Sequence, residues 1–210
     1  MTSIEEYTAG GELLARFAAP VDASQEPTHV ESQSFTAPTD ITWDAAGNIF
    51  VADAGRDRIV KYTSDGQYVT AVGSPGSASG QLRNPHSVAS DAAGNIYVAD
   101  HGNARVQVFD NNLNPRATFD GIGRPWALCV TPGPHQYLFS SSNTESPLVE
   151  MSARTVAEIY QMELDGTIVG KLRPADDPRV RLLIPHAIDC SVNGEIVAAG
   201  AFPSMIVYGR

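Results

Sequence analysis

The chain has 210 residues, 42% hydrophobic and 18% charged, with 18 Gly and 14 Pro, which is long enough for a sizeable core and too rich in turn-formers for a disordered or long-helix protein. Its net charge of −10 excludes the basic footprint by which nucleic-acid binders neutralise phosphates, and no apolar run approaches the roughly 18 to 20 residues of a membrane span. The start MTSIEEY carries neither the basic nor the apolar region of a signal peptide, so the chain reads as soluble, with its compartment left open and secretion included should it begin upstream of Met1.

In chain order, SIEEYTAGGELLARF predicts two strands, and the polar, Pro-containing PVDASQEPTHVESQS that follows predicts an exposed loop. PTDITW, DAAGNIFVAD, RIVKY and QYVTAVG then predict four short strands, with Asp-Ala-Ala-Gly-Asn and Ser-Asp-Gly as hairpin turns. The decapeptide returns as DAAGNIYVAD 47 residues later (91 − 44), changed only from Phe50 to Tyr97, between PHSVAS and RVQVF. Fainter copies follow. RPWALCVTPGPHQYLFSSSN and AEIYQMELDGTIVGKL form a third unit with TESPLVEMSARTV inserted, and IPHAIDCSVNGEIVAAGAF with SMIVYG a fourth that stops after three strands.

In NIFVAD, Ile49 and Val51 point one way and Phe50 and Ala52 the other, so both faces of the sheet need cover. Four-stranded units of roughly 40 to 50 residues, stacked radially, meet that need as a β-propeller. The expected fold is therefore an all-β propeller in a single domain: blade parts at 1–20 and blades at 35–74, 83–120, 122–173 and 183–210. These make about four and a half blades. The N-terminal strands either complete the last blade or belong to an arc of a longer ring, and the repeat lengths suit the arc. Cys129 and Cys190 lack metal-type spacing and fall on different repeats at different register, which predicts two buried free thiols.

The pattern P-x-x-[IV]-x-x-D-x-x-G-N-I-[FY]-V-A-D-x-x-x-x-R-[IV] resembles the NHL repeat over about two thirds of the sequence. More narrowly, PTDITWDAAGNIFVAD, RNPHSVASDAAGNIYVAD, RVQVF and IPHAID look like the peptidyl-α-hydroxyglycine α-amidating lyases. That resemblance implies a six-bladed ring whose axial Zn²⁺ is held by three histidines, each in a Pro-His step heading an inner strand. Here the steps are Pro85-His86 and Pro185-His186, so His86 and His186 are the implied metal ligands. Thr39, His86, Trp126 and His186 all follow a proline at the head of successive first strands, which puts them around the channel. The third ligand would belong to a blade whose first two strands precede Met1, and His101 is the substitute within this sequence.

The departures matter equally. The family's catalytic Tyr, expected after Asp53, is replaced by Ala54-Gly55-Arg56. Its catalytic Arg, expected after Asp100, is His101, and the Asp tied to a structural calcium is Ala187, so calcium is not expected. Arg56 and His101 occupy loop positions where the family keeps functional side chains and are the expected ligand contacts, with Thr39 and Trp126 at the channel. Trp126 reads either as filler between inner strands or as a stacking face. The pairs Asp53/Arg58 and Asp100/Arg105 read as ion pairs bracing a loop rather than as acid–base chemistry. His29 and His135 fall in loop or strand-edge contexts and carry no argument. No Gly-rich phosphate loop or nucleophile elbow is visible.

The expected function is a binding or scaffold propeller, related to amidating lyases but weakly active or inactive, that takes a peptide, small-molecule or protein ligand at the channel face. Self-association through open blade edges is a further expectation. The alternative is a zinc-dependent lyase acting on peptidyl-α-hydroxyglycine-like substrates. RNA binding, known for some NHL proteins, is opposed by the acidic balance.

Overall fold

The repeated decapeptide folds as a turn and a strand both times, in a computed structural model that describes residues 4–17, 35–143, 157–172, 185–191, 195–200 and 205–208. In the first copy the Asp44 carboxylate accepts the backbone N–H of Ala46 and Asn48 at 2.9 Å each and the Asn48 side-chain amide at 2.8 Å. In the second, Asp91 accepts the Asn95 backbone and side-chain N–H groups at 2.8 and 2.7 Å. Gly47 and Gly94 close these turns at φ +82° and +84°, where an L side chain is strained.

The strands that follow build sequential antiparallel sheets. The first blade is β3 (Pro38–Trp43), β4 (Ile49–Asp53), β5 (Arg58–Tyr62) and β6 (Tyr68–Val72). The second is β7 (Pro85–Ser90), β8 (Ile96–Asp100), β9 (Arg105–Phe109) and β10 (Pro115–Phe119). The third is β11 (Arg124–Val130), β12 (Tyr137–Asn143), β13 (Ala157–Glu163) and β14 (Ile168–Leu172). The last is the three-stranded β15 (Pro185–Asp189), β16 (Ile196–Gly200) and β17 (Met205–Tyr208). At the front, β1 (Ile4–Tyr7) and β2 (Leu13–Phe17) pair with each other as a separate sheet. The expected loop ahead of Phe35 and the expected insertion at 144–156 lie outside the described residues. The fold is an all-β propeller, and no helix among the described residues is long and apolar enough to cross a membrane.

Strand alternation places the core between blades. Phe50 and Ala52 pack with Val88, Ile96 and Val98 of the second blade, while Val51 and Val60 pack on the opposite face with Phe35 and Tyr62. Tyr97 and Ala99, at the equivalent positions one blade on, pack with Leu128, Leu138 and Met162 of the third. The single difference between the decapeptides is compensated locally. The buried Tyr97 hydroxyl donates to Asp91 Oδ2 at 3.0 Å, and where Phe50 has no hydroxyl, Asp44 Oδ2 instead accepts Asn111 Nδ2 from the second blade at 2.8 Å. Lys61 locks that asparagine by donating to its backbone and side-chain oxygens at 2.8 and 2.6 Å.

The expected ion pairs form. Arg58 Nε meets Asp53 at 3.0 Å and Arg105 Nε meets Asp100 at 2.7 Å, with both carboxylates fully buried. Each carboxylate also accepts backbone N–H groups from the loop entering its blade, Thr36 and Ala37 on Asp53 and Arg83 on Asp100. The third blade departs from this scheme. Ser142 stands opposite its proline where the first two blades have aspartate, Glu158 stands where they have arginine, and Glu158 pairs with Lys171 at 2.8 Å.

The expectation of two free thiols is corrected: Cys129 and Cys190 form a disulfide, with Cα atoms 6.0 Å apart. Their different register, taken from the sequence as an argument against pairing, is what makes it work. Cys129 is the fourth residue after Pro125 and Cys190 the fifth after Pro185. Successive side chains on a strand point to opposite faces, so the offset aims one sulfur forward and the other back across the gap between stacked blades. Phe139, Ile159 and Ile196 fill the same gap.

Candidate functional site

All four inner strands break register at one place. The bulges lie between Pro38 and Asp40, Pro85 and Val88, Pro125 and Ala127, and Pro185 and Ala187. A bulge releases a residue from its cross-strand partner and re-aims its side chain. The residues released include Thr39, His86, Trp126 and His186, and all four line one cavity of about 640 Å³ enclosed by β3, β7, β11 and β15. The sequence-predicted ring of channel residues is thus assembled by a repeated backbone irregularity.

Trp126 is the hub. Its ring centroid lies 4.6 Å from His86, 4.5 Å from His186 and 4.0 Å from His101, and His86 and His186 are 5.7 Å apart. His101 reaches this cluster from the 3-10 turn His101–Asn103 that follows β8 and is only 5% exposed. Two successive carbonyls of β11 organise two of the imidazoles: Pro125 O accepts from His101 Nδ1 at 3.2 Å and Trp126 O from His86 Nδ1 at 2.9 Å. A carbonyl only accepts, so both rings carry their proton on Nδ1 and present Nε2 as a lone pair. Burial holds His101 down at about 4, with the neighbouring His86 adding to the effect, and burial also lowers His86, so both are neutral at physiological pH.

The remaining predicted residues are placed differently. Thr39 donates its hydroxyl to Pro85 O at 3.1 Å and ties the first inner strand to the second. Arg56, in the 3-10 turn Ala54–Arg56, is outside the cavity wall, its Nε bonded to Thr36 Oγ1 at 2.9 Å. Its turn is the counterpart of the one bearing His101, but only the His101 turn joins the ring cluster.

Sequence reasoning passed over three features. Asp40 Oδ2 accepts the Ser87 hydroxyl at 2.5 Å and the Val88 N–H at 3.0 Å, and Ser87 Oγ accepts Leu128 N–H at 3.0 Å, a relay that crosses three inner strands. Asp189 lines the far part of the channel, its carboxyl held low by the Ser191 backbone N–H and hydroxyl. Asn143 is 1% exposed at the end of β12, with neither side-chain amide atom bonded, and Trp126 Nε1 is likewise buried without an acceptor. The signal for Asn143 was its place directly after Ser142, the residue opposite Pro125, as His101 directly follows Asp100, the residue opposite Pro85.

This geometry, with four blades around a channel and Pro-X steps heading the inner strands, is accompanied by a sequence match over residues 82–109. Residues 82–109 are an NHL repeat. No curated protein matches the chain in sequence. Solved structures share the propeller fold at low identity. A protein of unknown function from Bacteroides caccae matches with a TM-score of 0.65 at 15% identity, over 99% of this chain and 71% of that one. Hydrazine synthase of Kuenenia stuttgartiensis gives 0.61 at 11%, over 90% and 48%, and U3-55K 0.60 at 16%, over 82% and 52%. A chain of the nidogen/laminin complex gives 0.59 at 16%, over 82% and 65%. The chain therefore spans about half the length of U3-55K and of the hydrazine synthase chain.

Proposed function

We propose that this NHL-repeat propeller is a binding module whose ligand enters the channel at the imidazole–indole cluster. The observation that carries the reading is the set of register breaks, which turns His86, Trp126 and His186 out of three sheets and into one cavity. Core packing needs none of these bulges, because the interblade apolar clusters are filled by residues deeper in the strands. A similar fold in a chain of the nidogen/laminin assembly suits a binding role. The test is a screen of small polar fragments by NMR. Hits should perturb the Trp126 indole N–H and the imidazole resonances of His86 and His186, and hits that map only to the outer strands would remove the channel as the site.

A second reading, a zinc-dependent lyase on peptidyl-α-hydroxyglycine-like substrates, draws support from the Nδ1–H tautomers of His86 and His101. Metal-binding histidines characteristically donate their second ring nitrogen to a carbonyl, as these two do. The donor chemistry of His86, His186 and His101 fits Zn²⁺, although no group of three His, Cys, Asp or Glu among the described residues stands at metal-holding separation. Zinc bound there would polarise a substrate oxygen. This chain's residues would orient it through the Pro125 and Trp126 carbonyls. The tyrosine and arginine positions of the lyases remain Ala54 and His101. Elemental analysis of the purified chain with His86→Ala and His186→Ala controls, and an assay for glyoxylate release from a hydroxyglycine-ended peptide, decides for or against the lyase.

A further inference from the structure

We propose that the channel selects a small organic cation, a protonated amine or guanidine bearing several N–H donors. The inference rests on the channel being a binding site and names the class of ligand it takes.

Most of the hydroxyls of the wall are already spent on the protein. Of its hydroxyls, Thr39 donates to Pro85 O, Ser87 to Asp40, Ser90 to Trp43 O and Ser191 to Asp189. Among the described side chains of the wall, the donors without a protein acceptor are the Thr42 hydroxyl, the indole N–H groups of Trp43 and Trp126 and the His186 ring N–H, all of them uncharged or titratable groups rather than a fixed cation. Acceptors are plentiful. Asp40 and Asp189 contribute carboxylates whose partners are neutral N–H and O–H groups, and His86 Nε2 adds a lone pair. No lysine or arginine is among the described residues of the wall, and the chain as a whole carries −10. An anion would therefore meet two carboxylates with no fixed cation to compensate, whereas a donor-rich cation meets unfilled acceptors.

The layering of the wall gives the ligand its shape. Equal steps after the prolines lie at similar depth, so Ile41, Val88, Leu128 and Ile188 share one apolar belt between the ring cluster and Asp189, in which Ile41 and Ile188 keep accessible surface while Val88 and Leu128 are buried in the interblade core. His186 and Asp189 are three residues apart on β15, about 10 Å at strand rise. A four- or five-carbon stem spans that belt, with a charged group at Asp189 and a second donor near the imidazoles. Trp43, 67% exposed and lining the same cavity, offers an indole face to a cationic group.

The test is calorimetric titration of the full chain, with EDTA present, against agmatine, glutarate and 1,5-pentanediol. An acetyl-Gly-Arg-Gly-amide arm separates a free amine from a peptide side chain as the source of the guanidine. Agmatine or the arginine peptide should bind at least tenfold more tightly than glutarate or the diol. Affinity should fall as salt is raised, and Asp189→Asn, which keeps an acceptor for Ser191, should weaken binding about tenfold. Glutarate or diol binding as tightly as the cations overturns the proposal, as does cation binding indifferent to both salt and Asp189→Asn. The salt series uses the native chain and so decides even if the variant fails to fold. If fragments enter the channel but neither cation does, the ligand class is wrong and the binding reading stands. If nothing enters it, the binding reading itself fails.

Discussion

Cys129 and Cys190 bond across neighbouring blades while standing one residue out of step after their prolines. The offset is required because stacked sheets face each other with opposite strand parity. The bond fastens β15, the strand carrying His186 and Asp189, to β11, the strand carrying Trp126. It closes a loop of 61 residues, so Cys129→Ser should lower stability by about 4 kcal/mol. Urea denaturation of the native chain with and without a dithiol reductant gives the same comparison without a mutation. Coincident curves would show that the bond adds nothing.

The ion pair of Asp100 with Arg105 should be costly to break from either side. Asp100 is fully buried and also accepts from Arg83 N, Asn103 and Gln107, while Arg105 reaches the carbonyls of Ser77, Ala78 and Gln81. Asp100→Ala strands these donors and an arginine, an effect of about 3 to 5 kcal/mol. The comparison variant is Glu158→Ala in the third blade, where the cation, Lys171, is about one-third exposed and reaches water when its partner is lost. Thermal melts should rank Asp100→Ala well below Glu158→Ala, and equal losses would contradict the bracing role.

The blades were legible because an apolar face on each side of a strand and a 47-residue spacing admit few architectures. The ring of Thr39, His86, Trp126 and His186 was legible for the same reason, since equal steps after a proline share a depth. What was not legible depends on a second blade. The tautomers of His86 and His101 are set by the carbonyls of Trp126 and Pro125, which every residue possesses and no sequence pattern marks. The disulfide was misread because register was compared along the strands without the parity that stacking imposes. The altered brace at Ser142 and Glu158 was hidden because the third repeat loses the Val-Ala-Asp ending that marks the first two.

Tyr97 tests how the one difference between the decapeptides is used. Its buried hydroxyl donates to Asp91, and burial pushes its ionisation well above the usual phenol range, so it stays a donor at any working pH. Tyr97→Phe should lower stability by about 1 kcal/mol, since Asp91 keeps both Asn95 donors. The converse, Phe50→Tyr, brings a hydroxyl to a position where Asp44 already accepts Asn111, and should not stabilise. A gain in melting temperature for Phe50→Tyr would show that the two turns are interchangeable.

His101 should make the metal-free protein sensitive to acid. Its ordinary value is 6.5, and burial holds it at about 4 in the fold. Below pH 6.5 the unfolded chain takes up a proton that the folded chain refuses, so the unfolded state gains as pH falls, and the loss is complete near pH 4. The stability is fully present above 6.5, and the span of about 2.5 pH units corresponds to about 3 kcal/mol. Asp44, Asp110 and Asp189, whose carboxyls are held below their ordinary value, add their own losses at the acid end, so the informative quantity is a difference between two chains. His101→Gln removes the titrating ring while retaining a side-chain N–H donor for Pro125 O. Denaturation midpoints of the native chain and the variant, taken in EDTA from pH 7.5 to 4.5, should converge as pH falls. Parallel profiles would place the His101 proton uptake outside the folding equilibrium and break the link between its burial and the stability of the cluster.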